Sequence, residues 1–283
     1  MHIALATAAV LPKLDEDGPA LIAALEARGH TARPAVWSDP SVDWAAYDRV
    51  IIRSTWDYAP RRAEYLAWAD HVAAVTRLHN PAPLVRWNTD KHYLGALATR
   101  GVPVVPTRFL SDSEPFEAPD WSEYVVKPTV SAGARDTARF GVDEEERAAA
   151  LVARIRQSGR DVMVQPYQSG VDAGGETALV FFAGRFSHAI RKGPMLPRGV
   201  DPTQALYAPE QITARVPSPA ELDVAHRVLA ALPVPAEVLT YARVDLIPGP
   251  HGPLLIELEI TEPSLFLGFA EGATERFAEV VVR

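Results

Sequence analysis

The 283-residue chain contains no cysteine. Disulfides, thiolate zinc sites and a cysteine nucleophile are therefore excluded. The opening MHIALATAAVLPKL has no basic leader, and its apolar run is too short to span a bilayer. That reads as a cytoplasmic protein without a membrane partner. Acidic residues outnumber basic ones, 36 to 28, for a net charge of −8. Such a balance argues against nucleic acid as a partner, but it allows a local basic pocket for a phosphorylated small molecule. Several signatures are also missing. There is no GxGxxG after the first strand, no GxxxxGK[ST], no GxSxG, no HExxH, and no kinase HRD or DFG. The eight histidines show no metal-ligand spacing, and no repeat or low-complexity tract is visible.

What is present is the composition of an ordinary globule, 48% hydrophobic and 23% charged, long enough for a large core. Residues 3–8 and 49–55 read as buried strands. A helix over 19–28 stops at Gly29, another follows Pro60, and 77–80 suit a short strand. This alternation predicts a parallel α/β unit. Asn80-Pro81-Ala82-Pro83 breaks the pattern and sets a first boundary. A helix around 90–100 comes next, then strands at 103–110 and 122–128. Asp143, with Glu146 three residues on, suits a capping box for a helix over 143–157. Strands at 161–167, 176–182 and 185–192 are followed by a proline-rich stretch, 193–217, read as a long loop. Ser218-Pro219-Ala220-Glu221 is a second capping box, opening a helix to about Ala231. A hairpin and a short helix end the chain.

The hairpin, RVDLIPGPHGPLLIELEI, carries the most chemistry. Side chains alternate across a strand, so Arg243 and Asp245 share one face. Glu257 and Glu259 likewise share a face. If Asp245 lies opposite Glu257, then Arg243 lies opposite Glu259, and all four charges point one way. Carboxylates this close repel unless neutralised. A magnesium ion held by Asp245, Glu257 and Glu259 would do so, with Arg243 free for a phosphate oxygen. The plainer alternative is a solvated sheet face with a chance ion pair.

Cations for a nucleotide are found upstream. NTDK, Asn88 to Lys91, is expected to open a helix, where Lys91 could reach phosphates or simply be a surface lysine. Lys127 ends the apolar strand EYVVKP, where an unpaired ammonium would be costly. TVSAGARD follows, with Ser131 and Gly133 letting backbone N–H groups approach an anion and Arg135 adding charge; it could equally be a turn. VMVQPYQ runs into Gln165 and Tyr167, where adenine could meet the main chain. A further hairpin starts at Glu176 and ends at Arg191-Lys192.

Taken in order, these segments resemble the ATP-grasp superfamily of ligases over about 200 residues. RSTWDY, FSHAIRK and ELEITEPSLFL are most similar to the branch that includes D-cycloserine-forming ligases, within the glutathione-synthetase-like and ribosomal-protein-S6-modification-like group. The resemblance implies an α/β fold: an N-terminal Rossmann-like domain over 1–83, a small ATP-grasp subdomain over 84–164 and a C-terminal subdomain over 165–283. It implies ATP and magnesium as cofactors. Lys91 and Lys127 would hold phosphates under a loop from Ser131 to Arg135. Gln165 and Tyr167 would receive adenine, with Glu176 or Asp172 at the ribose. Arg243 would meet the transferring phosphoryl group, and either Arg191 or Lys192 the substrate carboxylate. Two positions depart from the family pattern. Glu259 stands where Asn is common, and Gln165 where Glu is common. The implied reaction joins a carboxylate to an amine through an acyl phosphate, in antibiotic-type biosynthesis, on an amino-acid-like small molecule. The alternatives are an intramolecular cyclase acting on O-ureido-D-serine and a non-catalytic ATP-binding module. Substrate selection is expected from Arg53, Asp57, Glu262 and Ser264. Arg53 and Asp57 would bind a carboxylate and an amine, or else Asp57 caps the helix after Pro60 and Arg53 pairs with it. A homo-oligomer is left open.

Overall fold

A computed structural model describes residues 1–111, 115–194, 196–202 and 211–283. The first sheet is parallel. It comprises β1 (His2–Thr7), β2 (Thr31–Val36), β3 (Arg49–Ser54) and β4 (Arg77–His79), in the order β2-β1-β3-β4. Between the strands lie α1 (Gly18–Glu26) and α2 (Arg62–Val75). Gly29 sits at φ 78°, the left-handed conformation that ends a helix at little cost in glycine. Two helices follow, α3 (Ala82–Asn88) and α4 (Tyr93–Thr99).

A second sheet holds β5 (Arg108–Leu110), β6 (Glu123–Pro128), β7 (Ala138–Gly141) and β8 (Val162–Pro166), in the order β5-β8-β6-β7, with α5 (Glu145–Gln157) packed on it. Beyond a short α6 (Gly170–Gly174), the third sheet has the order β11-β10-β9-β12-β13. Its strands are β9 (Glu176–Phe182), β10 (Arg185–Lys192), β11 (Ile212–Arg215), β12 (Tyr241–Gly249) and β13 (Gly252–Glu259). Helix α7 (Pro219–Ala230) and helix α8 (Ala273–Val282) complete the chain. Both sheets are antiparallel throughout.

One core joins the first and third sheets. Ile3, Leu5 and Ile51 pack with Val180, Phe182, Tyr241 and Phe277. Helix α8 supplies Ala273, Phe277, Ala278 and Val281, spaced to form one apolar stripe. β13 is an edge strand, and side chains satisfy its open backbone groups. Asn88 donates to Leu258 O at 2.7 Å and accepts from Ile260 N–H at 2.9 Å. The Tyr93 hydroxyl bonds Leu258 O at 2.9 Å, and buried Asn80 donates to Ile260 O at 2.7 Å.

Some expectations need correction. NTDK does not open a helix: Asn88 ends α3, and Lys91 lies in the turn before α4. The residues 84–99, placed by sequence in the second unit, pack instead on the third sheet through Leu84, Tyr93, Leu94 and Leu97. The prolines at 81 and 83 open α3. Asp143 does not cap α5; it pairs with Arg198, and Glu144 occupies the cap position while accepting from Gly141 N–H. The strand expected at 103–110 is confined to Arg108–Leu110 with a single bridge from Val104 to Leu255. Within the expected loop at 193–217, β11 forms; residues 195 and 203–210 lie outside the described residues. The Ser218–Glu221 capping box forms as expected.

Candidate active site

The charged hairpin has the expected register: Arg243 faces Glu259 and Asp245 faces Glu257. A bulge follows Asp245, shifting the ladder before Leu246. β9 and β10 extend the same surface, because Asp245 lies beside Ala178 and Lys192 beside Glu176. The resulting cluster is tightly paired. Arg243 Nε and Nη2 both donate to Asp245 at 2.8 Å, and Nη2 also reaches Glu259. Lys192 Nζ is 2.9 Å from Asp245 and 2.6 Å from Glu176. Lys91 Nζ is 3.1 Å from Glu257 and donates to Ser131 Oγ and Ser131 O at 3.0 and 3.1 Å.

Charge states follow from these contacts. Burial works against ionised Asp245, but Arg243 and Lys192 outweigh it and hold the carboxyl well below its usual range. Burial raises Glu176 to about 7 despite Lys192, and nearby Asp245 adds to the rise. Burial likewise lifts Glu259 to about 7 despite Arg243. For Glu257, Lys91 and Lys127 overcome burial, and the pKa falls. Burial depresses Lys127 to about 8, partly offset by Glu257. Among the described residues Lys127 has no carboxylate within ion-pairing distance, so it is the cluster's cation without an ion-pair partner.

Not every expected residue joins the cluster. Strand parity turns Arg191 away from Lys192: its guanidinium donates to Gly174 O and Ala173 O at the end of α6. Arg53 is 1% exposed, donates to Pro263 O at 3.0 Å and lies 3.7 Å from Asp15. Asp57 instead accepts from Trp37 Nε1 and Arg61. The alternative in which Arg53 pairs with Asp57 does not hold, because β3 ends at Ser54 and the chain turns between them. The Ser264 carbonyl accepts from Arg243 at 3.1 Å. Gln165 is buried, its amide donating to Thr107 Oγ1, and Tyr167 N–H bonds Glu123 O. The Tyr167 ring lies 3.4 Å under the Arg139 guanidinium, and its hydroxyl reaches Asp172. Asp172 therefore belongs to the hinge patch and Glu176 to the acidic cluster. Gly133 is exposed in the left-handed conformation, with Arg135 two residues on in the same loop.

Among the described residues no three acidic or histidine side chains already form a metal cage. The expected trio is shared out among cations instead. The donor set nevertheless suits a hard cation. Glu257 and Glu259 share one face and keep 29% and 23% of their side-chain surface open. Asp245, at 2%, serves first to hold Arg243 and Lys192. Tyr58 and Trp56, beyond the carboxyl end of β3, were not anticipated as neighbours of Glu262. A ligand position at the carboxyl edge of a parallel sheet is the signal that could have found them.

A parallel sheet followed by two antiparallel sheets, with paired cations and carboxylates on the last, defines an ATP-grasp ligase. A RimK-domain ATP-grasp protein from Sphaerobacter thermophilus shares the fold at a TM-score of 0.72, with 19% identity and full coverage of both chains. D-alanine–D-alanine ligase from Bacillus anthracis does so at 0.66, with 14% identity over 100% and 96% of the two chains. A family model described as the N-terminal domain of D-cycloserine synthetase DcsG matches residues 3–80. The cycloserine biosynthesis protein DcsG of Streptomyces lavendulae is 41% identical over 296 residues, 99% of this chain and 97% of that protein. The crystal structure of D-cycloserine synthetase DcsG superposes with a TM-score of 0.89 and 39% identity, over 99% and 98% of the two chains. The chain belongs to the family of D-cycloserine synthetase DcsG. It is an enzyme that forms a carbon–nitrogen bond at the expense of ATP. Among the described residues no helix is long and apolar enough to cross a membrane.

Proposed function

We propose that this ligase closes the ring of D-cycloserine from O-ureido-D-serine: the substrate carboxylate is activated as an acyl phosphate, the ureido nitrogen bonded to oxygen attacks it with release of phosphate, and water removes the carbamoyl group from the ring nitrogen as carbon dioxide and ammonia. The observation that carries this reading is the likeness to DcsG along 99% of the chain. Lys127 supports it as the cation left without an ion-pair partner beside the cluster, ready for a nucleotide phosphate. Lys91, pinned by Ser131, ties the small-residue loop to the same place. Closing that loop would exclude water, which otherwise hydrolyses an acyl phosphate. Arg243 and Lys192, fixed by Asp245, present positive charge where negative charge builds on the transferring group. Tyr167 and Asp172 mark the adenosine end, with Asp172 preferred to Glu176 for the ribose. Glu257 and Glu259, with Asp245 behind them, would hold magnesium, which when bound neutralises phosphate charge. An intermolecular ligation of a separate amine uses the same residues and differs only in the nucleophile.

The test is ADP release with O-ureido-D-serine as sole acceptor, with mass spectrometry of the product. Stoichiometric ADP and D-cycloserine are expected. Turnover that requires an added amine would replace the cyclase with the intermolecular ligase, and no ADP from any amino-acid acceptor would remove the reading.

A further inference from the structure

The described residues place five carboxylates in and beside the charged cluster. Four have a basic group within 4 Å: Glu176, Asp245, Glu257 and Glu259. Glu262 has none among the described residues, although it is only 8% exposed. Its carboxyl group lies beside the Tyr58 side chain, and its main-chain oxygen accepts from Trp56 Nε1 at 2.9 Å. Tyr58 in turn stacks on Tyr65 at 4.8 Å. A carboxylate set against aromatic rings without a cation is costly, and a neutral side chain of similar size would pack there more favourably.

We propose that Glu262, assisted by the Tyr58 hydroxyl, receives the ammonium group of the amino-acid substrate. This rests on the ligase reading above and names the recognition element within it. An ammonium would supply the missing positive charge. It would also orient the substrate with its carboxylate toward Lys192 and Arg243, since Arg243 holds the segment carrying Glu262 through Ser264 O. Burial and the charge of Glu259 raise Glu262 to about 8, partly offset by Lys91; a bound cation reverses that preference.

The experiment compares O-ureido-D-serine with its analogue bearing a hydroxyl in place of the α-amino group, in wild type, Glu262→Gln and Tyr58→Phe. ADP release gives KM and kcat for each, and circular dichroism checks the fold. Wild type is expected to favour the amine by at least about tenfold in KM, the scale of a lost charge-assisted bond. Glu262→Gln should lose that preference while its KM for ATP stays unchanged, and Tyr58→Phe should lose part of it. Equal wild-type KM for amine and hydroxyl substrates would overturn the inference, and that comparison needs no variant. So would a folded Glu262→Gln protein that keeps the preference. Absence of wild-type turnover with every amino-acid acceptor would instead sink the ligase reading, and the inference with it.

Discussion

Lys127→Met separates function from stability. The lysine is buried, 8% exposed, and faces the cluster without an ion-pair partner among the described residues. Its pKa lies at about 8 rather than 10.5, chiefly through burial. The gap corresponds to about 3 kcal/mol that the folded protein forfeits to keep the side chain charged at neutral pH. Methionine keeps the length and apolar stem while removing the charge. The variant should therefore gain about 2–3 kcal/mol, discounted for residual solvent contact, and its thermal midpoint should rise by roughly 5 °C. A depressed lysine pKa costs stability as pH falls from 10.5 toward 8. The advantage of the variant should accordingly be full near neutrality and vanish above about pH 10.5. Loss of a phosphate contact should lower kcat/KM for ATP by about a hundredfold or more. Scanning calorimetry across pH, with ADP-release kinetics, measures both. A variant that is less stable at pH 7 yet turns over ATP normally would refute the reasoning.

In wild type, the raised pKa values of Glu176 and Glu259, about 7 each, mean that neutral carboxyls fit the fold better than charged ones. Their contribution is complete below about pH 4.5 and is lost as pH rises through about 7, so the thermal midpoint should fall between pH 5 and 8 by calorimetry. Asn88→Ala removes two bonds that close the β13 edge and leaves the Ile260 N–H without its partner, while Leu258 O keeps Tyr93; a loss of about 1–3 kcal/mol is expected in urea denaturation. Arg191→Ala should keep turnover near wild type in the ADP assay, whereas Lys192→Met should reduce it by about a hundredfold or more.

The hairpin was legible because period-two alternation fixed which charges share a face before any contact was known; the register, assumed from the sequence, is the one the strands adopt. Lys127 was legible for a related reason: an ammonium ending an apolar strand needs an explanation. Arg191 and Lys192 could not be told apart, since parity needs the bulge between Phe186 and His188. Arg53 and Asp57 were read from their charges and their place after a strand; the strand end between them sends each to a different partner. The short strands β2, β7 and β11 were missed, as each is held by neighbours rather than by a strong local pattern. The metal trio was read from charge repulsion; that Arg243 in the same hairpin, with Lys192 and Lys91 from elsewhere in the chain, already relieves it is set by the tertiary structure. Glu262 was singled out by its place in the tail, but its lack of a cation is a three-dimensional fact.

The central claim is that the carboxylates Glu257 and Glu259 serve magnesium-dependent phosphoryl transfer. It is tested most directly by ADP release from Glu257→Gln/Glu259→Gln protein over a magnesium titration. The expected result is a folded protein whose turnover is lost at every magnesium concentration. Wild-type rates with an unchanged magnesium response would contradict it.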